Sequence, residues 1–366
     1  MNSRTIVIVI VAAFALCCIG SGAVMTLSVL DKALASAKNP DPTPVAPPTT
    51  TDKDDDDSDD EKDDAPVAPP ADTDDTPDDD ETIPTANTDE PPEFLPPEEG
   101  VSTFAVYYAK KSKVPALGAL KLASKGTVLH ALKNTDEIED AETPFVSVEE
   151  QTTLDYPVNS EALDADESLD GVSRKLVAGS QSVAVLTVIT SGAPEEERDA
   201  QKAVLAFAKA TGGVVWDDDS GEFLNAVKFK AQRLDSWQGE VPVAHEFYSV
   251  VHNPGSKTTE LATKGLKRFA LPELELEVSK ADEQLGVQFL AVVAQALVEN
   301  QDTPPDPKTE LAIVLTNLKH DGFRKQVEAQ VGSGTGAATV SFTVGAEEAA
   351  LKVSFKQGSL REFFGN

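Results

Sequence analysis

The sequence predicts an α+β domain over residues 101–366, with an α/β-like crossover in its middle and antiparallel strands toward the C-terminus, behind a transmembrane helix and a disordered linker. Three observations predict it. A valine-rich run of strand length at residues 182–189 leads through Pro194 and three glutamates into a helical pattern that stops at Gly212 and Gly213. Alternating apolar positions, Val340, Phe342 and Val344, then Leu351, Val353 and Phe355, flank a turn at residues 345–348. Composition also changes sharply near residues 38 and 100, which divides the chain into segments 1–38, 39–100 and 101–366.

Residues 1–38 carry the membrane segment. From Ile6 to Leu30 the chain is apolar except at Gly20, Ser21, Gly22, Thr26 and Ser28, and Arg4 precedes it. At about 1.5 Å per residue such a helix is long enough to cross a ~30 Å hydrocarbon core. Arg4 and the amino terminus favour a cytoplasmic start, which makes the chain single-pass with its C-terminal domain extracytoplasmic. Two other readings export the domain as well: a signal peptide with its apolar core at residues 5–16 and cleavage near Ser21 and Ala23, or lipidation at Cys17 or Cys18.

Residues 39–100 contain 14 prolines and 23 acidic residues against Lys53 and Lys62. So little apolar surface cannot offset the entropy of ordering, and the segment is expected to be a disordered linker. In polyproline II geometry its limiting length is ~190 Å at about 3.1 Å per residue. The aspartates at positions 54–57, 59 and 60 lack the alternating ligands, the glycine and the glutamate of a calcium loop.

Of the formal charge of -32, residues 101–366 carry -13. That surface repels phosphate backbones and excludes nucleic acid as a partner. Both cysteines lie in the apolar segment, so the domain can form no disulfide, Cys-ligated zinc site or thiol nucleophile.

Within the domain, residues 104–109 read as the first strand, 115–124 as a helix, 127–132 as a short strand, and 134–168 as an acidic excursion with one strand at 145–148. The run at 182–189 is apolar throughout, which suits a strand buried on both faces. The helix after it starts with Pro194 and carboxylates at its positive end and stops at a glycine cap. With the strand at 214–216 it makes a strand–helix–strand crossover with parallel pairing. Strands follow at 245–251, 260–263 and 274–278, a helix at 281–298, a strand at 311–315, and the closing hairpin.

Thr263, Gly265, Leu266, Phe269, Pro272, Glu273, Leu274 and Glu275, preceded by the Gly212–Gly213–Val214–Val215–Trp216–Asp217 run, resemble uncharacterised bacterial membrane-anchored proteins that carry a domain of unknown function. Ala270 stands where that pattern has a glycine. The resemblance spans about residues 180–300. It implies an α/β-type fold and a bacterial source, and it transfers no catalytic residue.

The chemistry is mostly exclusions. His245 and Glu246 open like a zinc-protease helix, but Ser249 occupies the second histidine's place. No Gly-x-Ser-x-Gly elbow and no Ser-x-x-Lys pair occurs. Gly332, Gly334 and Gly336 precede a strand rather than a helix, so they read as a flexible connection, not a phosphate loop. Asp217, Asp219 and Glu222 lie just past a strand end, where α/β folds gather ligands, and are the candidate calcium or magnesium ligands; otherwise the turn is solvated. Trp216, Trp237, Phe247 and Tyr248 are candidates for a peptide or glycan surface. The sequence calls for no cofactor.

The expected function is a non-enzymatic binding or interaction module, tethered through its N-terminal helix and facing an envelope protein or glycan. The alternative is an extracytoplasmic hydrolase or other enzyme with an acidic site near Asp217–Glu222.

Overall fold

A computed structural model describes residues 94–109, 130–131, 143–301, 305–346 and 349–365. The membrane segment, most of the linker, the helical pattern at 115–124 and all but two residues of the strand at 127–132 lie outside the described residues. The α+β class holds: two six-stranded sheets, each with its own helices, follow one another along the chain.

The first half contains β1 (Gly100–Tyr108), β2 (His130–Ala131), β3 (Phe145–Thr152), α1 (Ser160–Ala165), α2 (Gly171–Gly179), β4 (Ser182–Thr190), α3 (Pro194–Thr211), β5 (Val214–Asp217), β6 (Glu222–Leu224) and α4 (Ala226–Arg233). Its strand order is β2-β3-β4-β1-β5-β6. The expected strand–helix–strand crossover is present, but its parallel pairing is not. β1 lies between β4 and β5 and runs antiparallel to both, Phe104 facing Leu186 on one side and Asp217 on the other. The Pro194 start and the left-handed Gly212 stop of α3 are as the sequence implies.

Alternation along these strands feeds two cores. Phe104, Val106, Leu186, Val188 and Val215 pack on α3 through Val204, Phe207 and Ala208, and on Phe229 of α4. Tyr107, Val183, Trp216 and Phe223 point the other way, onto Leu163, Leu169 and Val177 around α1 and α2. The N-caps of α2 and α4 are tied together, since the Asn225 amide donates to Asp170 at 2.9 Å. The Ser173 hydroxyl, with the α2 backbone and Asn225, holds the Asp170 carboxyl well below the usual carboxylate range. None of α1, α2 and α4 was expected from the sequence.

The second half contains β7 (Ser249–Pro254), β8 (Thr258–Lys264), β9 (Glu273–Ser279), α5 (Glu283–Val298), β10 (Glu310–Val314), α6 (Asp321–Val331), β11 (Ala337–Val344), β12 (Ala350–Gln357) and α7 (Leu360–Phe364). Its order is β10-β11-β12-β9-β8-β7. β11 and β12 form the expected antiparallel hairpin, and β12 pairs parallel to β9. α5, α6 and α7 share a core with one sheet face through Phe289, Val293, Phe323 and Phe363 against Leu276, Val340, Phe342 and Val353. Phe94, six residues before β1, packs against this second core.

Two further readings are corrected. His245 sits in a 3-10 turn, Ala244–Glu246, rather than opening a strand. The Gly332–Gly336 connection is packed, not flexible: Gly336 N–H donates to Phe363 O at 3.1 Å, and a Cβ on Gly334 would lie 2.2 Å from that same oxygen. α6 starts on His320, whose Nδ1 accepts from Phe323 N–H at 3.0 Å while Nε2 donates to Ser236 O at 2.9 Å.

Candidate functional site: a buried ionic seam

The halves meet where a 3-10 turn of the second half, Leu266–Phe269, enters the first half beside the starts of β1 and α3 and the end of β5. Glu273, the first residue of β9, organises this turn. Its carboxylate accepts from Gly265 N–H at 2.7 Å, Leu266 N–H at 3.3 Å, Lys267 N–H at 3.4 Å and the Thr263 hydroxyl at 2.8 Å. The turn closes on Ala270, the one non-glycine described residue with positive φ, at +50°. A glycine would adopt that conformation without strain.

The seat is lined by glycine. A Cβ on Gly100 would lie 2.4 Å from Arg268 O, and one on Gly192 would lie 2.5 Å from the Ala270 Cβ. Only backbone fits there.

Arg268 projects from the turn and is 0% exposed. Its Nη2 donates to Asp217 Oδ1 at 2.7 Å and Asp219 Oδ2 at 2.8 Å, while Nη1 reaches Asp217 Oδ2 at 3.4 Å and Glu197 Oε1 at 3.5 Å. Phe104 and Phe247 rings lie 5.6 Å from its guanidinium carbon. A second buried arginine, Arg233 at the end of α4, reaches Asp217 Oδ2 at 3.2 Å, Ser220 Oγ at 2.8 Å and Glu222 Oε2 at 3.1 Å, with Glu246 at 3.6 Å. Lys267 pairs with Asp219 at 3.3 Å.

This wiring sets the titration of each group. Burial alone would raise the Asp217 carboxyl, but Arg268 and Arg233 together hold it below its ordinary value. Glu197 is pushed up to about 7 by burial, with Arg268, Gln201 and Ser102 opposing. Burial, then Arg233 and His320, push His245 down to about 4, which leaves a neutral imidazole against the Phe323 ring at 5.5 Å. Glu273 is raised by burial, against its backbone donors.

The three candidate metal ligands do come together, but around guanidinium groups: Asp217 is shared by both arginines, Asp219 lies between Arg268 and Lys267, and Glu222 lies on Arg233. Asp217 and Asp219 are fully buried, so the turn is not solvated. Among the described residues, no three His, Cys, Asp or Glu side chains converge to hold a metal ion. Trp216, Trp237, Phe247 and Tyr248 are core residues rather than a binding surface. His252 pairs with Glu283 at 2.7 Å, away from His245 in sequence and in element.

Glu197, Arg233, Arg268 and Glu273 are the members that sequence reasoning passed over. One signal was available for Glu197: continuing the α3 stripe of Val204 and Ala208 backwards by three and four places reaches Ala200, Gln201 and Glu197, all on the buried face. Chemically the arrangement is a charge-neutralising joint, with Glu197, Asp217, Asp219 and Glu222 each engaged by a cation of this chain at the strand ends where α/β folds often take ligands. Comparison with known proteins adds no relative: no family model, no curated protein and no solved structure matches this chain.

Proposed function

We propose that the chain is a single-pass, membrane-tethered interaction module whose folded domain is held outside the cytoplasm to bind an envelope protein or glycan. The observation that carries this reading is the order of segments: an apolar stretch at residues 6–30, a proline-rich acidic stretch at residues 39–100, then a fold. A spacer with a limiting reach of ~190 Å is useful where a domain must find a partner away from a bilayer. The seam supports the same reading. Its carboxylates are engaged by Arg233, Lys267 and Arg268, as expected of a scaffold that keeps two halves in one geometry.

The test fuses a reporter that is active only outside the cytoplasm to the C-terminus, and weighs the intact mature chain. An active reporter with residues 1–30 retained supports the tethered, outward-facing module. A silent reporter refutes it and moves the partner search to the cytosol.

A further inference from the structure

We propose that Glu197 is a proton-operated latch between the two halves: protonated, it lets Arg268 sit fully on Asp217 and Asp219; ionised, it loosens the Arg268 turn from the first half.

The geometry singles out Glu197. Three carboxylates crowd the Arg268 guanidinium, and two of them have a second cation: Arg233 at 3.2 Å for Asp217 and Lys267 at 3.3 Å for Asp219. Glu197 has Arg268 at 3.5 Å, the longest ion pair that this guanidinium makes. Its other neighbours are neutral: the Ser102 hydroxyl from β1 at 3.2 Å and the Gln201 amide one turn along α3. Among the described residues the other charge that acts on it is Asp217 from β5. Of the three carboxylates that share Arg268, a fully buried one with one long cationic contact and an anion nearby is the one that gains most from a proton.

The site also holds a place for that proton. Gln201 Oε1 is buried and has no hydrogen-bond partner among the described residues, while the amide nitrogen donates to Glu197. Turning the amide over presents Oε1 as acceptor for a protonated Glu197, so Gln201 can meet either state of the carboxyl. The rise of the Glu197 carboxyl from 4.5 to about 7 on burial agrees with this picture.

The consequence is a linkage between pH and the seam. With the turn seated, Glu197 holds its proton to about 7; with the turn lifted and water admitted, the carboxyl returns toward its ordinary 4.5. The seated form therefore binds the proton more tightly, and raising pH from 5.5 to 8.0 shifts the equilibrium toward the lifted form roughly 25-fold. Asp217 titrates below this window in both forms, and the Glu197→Gln comparison separates Glu197 from His245 and Glu273, whose titration burial also perturbs.

The test is hydrogen exchange on the full chain in detergent, corrected for base-catalysed intrinsic rates. Protection of the amides of residues 265–271 should fall by roughly 25-fold between pH 5.5 and 8.0, with β11 and β12 amides unchanged, and Glu197→Gln should make the response flat. A flat wild-type response, or an unchanged dependence in E197Q, overturns the latch. Should E197Q not fold, the carboxyl carbon shift of Glu197 in the wild type decides: a midpoint between roughly 6 and 8 supports the latch, and one below about 5 overturns it.

Discussion

Replacing Arg268 by alanine removes the fully buried side chain that joins the halves through three carboxylates. The guanidinium holds Asp217 and Asp219 at 2.7 and 2.8 Å and Glu197 at 3.5 Å, with no exposure to water. Afterwards Asp217 keeps Arg233, Asp219 keeps Lys267, and Glu197 keeps no cation among the described residues. Breaking a buried pair from one side costs about 3–5 kcal/mol. Two of the three stranded anions retain partners, which lowers the cost, while the cavity left by the side chain raises it, so about 4 kcal/mol is expected. At about 2 °C per kcal/mol for a domain of this size, the midpoint should drop by roughly 8 °C.

The assay is urea unfolding of the full chain followed by the fluorescence of the buried Trp216 and Trp237, at pH 5.5 and 8.0. Without Arg268 the Glu197 carboxyl, raised by burial, loses the cation that opposes that rise and binds its proton still more tightly when folded than when unfolded. A carboxyl raised in this way contributes stability below its unfolded pKa that is lost as pH climbs through the folded value. The deficit should therefore be larger at pH 8.0. A loss under about 1 kcal/mol at both pH values, with an unchanged denaturant slope, would refute the claim that this arginine bridges buried carboxylates.

Other perturbations follow from single features. Ala270→Val puts a β-branched residue at φ +50° and should lose about 2 kcal/mol, whereas Ala270→Gly should leave the thermal midpoint unchanged or raised; the two midpoints compared side by side decide. Gly334→Ala drives a Cβ to 2.2 Å from Phe363 O, so calorimetry should show a loss of roughly 1–3 kcal/mol and premature exchange of the α7 amides. His320→Ala removes both the α6 N-cap and the bond to Ser236, and about 1–2 kcal/mol should go with them; an unchanged urea midpoint would count against that capping role.

The elements legible in the sequence are those whose residues state their own burial. β4 and α3 are marked by an unbroken valine run and a 3.6-residue stripe, and β11 and β12 by strict alternation. Pairing was not legible. Nothing near residue 182 indicates that β1, some eighty residues earlier, will separate β4 from β5, because a strand apolar on both faces fits either neighbour. The short helices escaped for a different reason: Val172 and Val227, near the starts of α2 and α4, are 79% and 80% exposed, so their apolar positions do not mark a buried face. For the seam, Asp217, Asp219 and Glu222 drew notice as carboxylates near a strand end, and the structure does gather them. Their true partners, Arg233 and Arg268, did not, since arginine is rarely fully buried and its burial follows from contacts far off in sequence.

The position of β1 has a mechanical consequence. The chain passes from Phe94, docked in the second core, into β1, the strand flanked by β4 over nine residue pairs and by β5 over four. A pull delivered through the residues before Phe94 must first free that anchor and then load both antiparallel ladders along their length. Hydrogen bonds stretched side by side resist together, unlike those at a frayed edge, which break in succession. The domain is thus gripped by a central strand, and traction on its leading end is resisted in shear rather than by peeling.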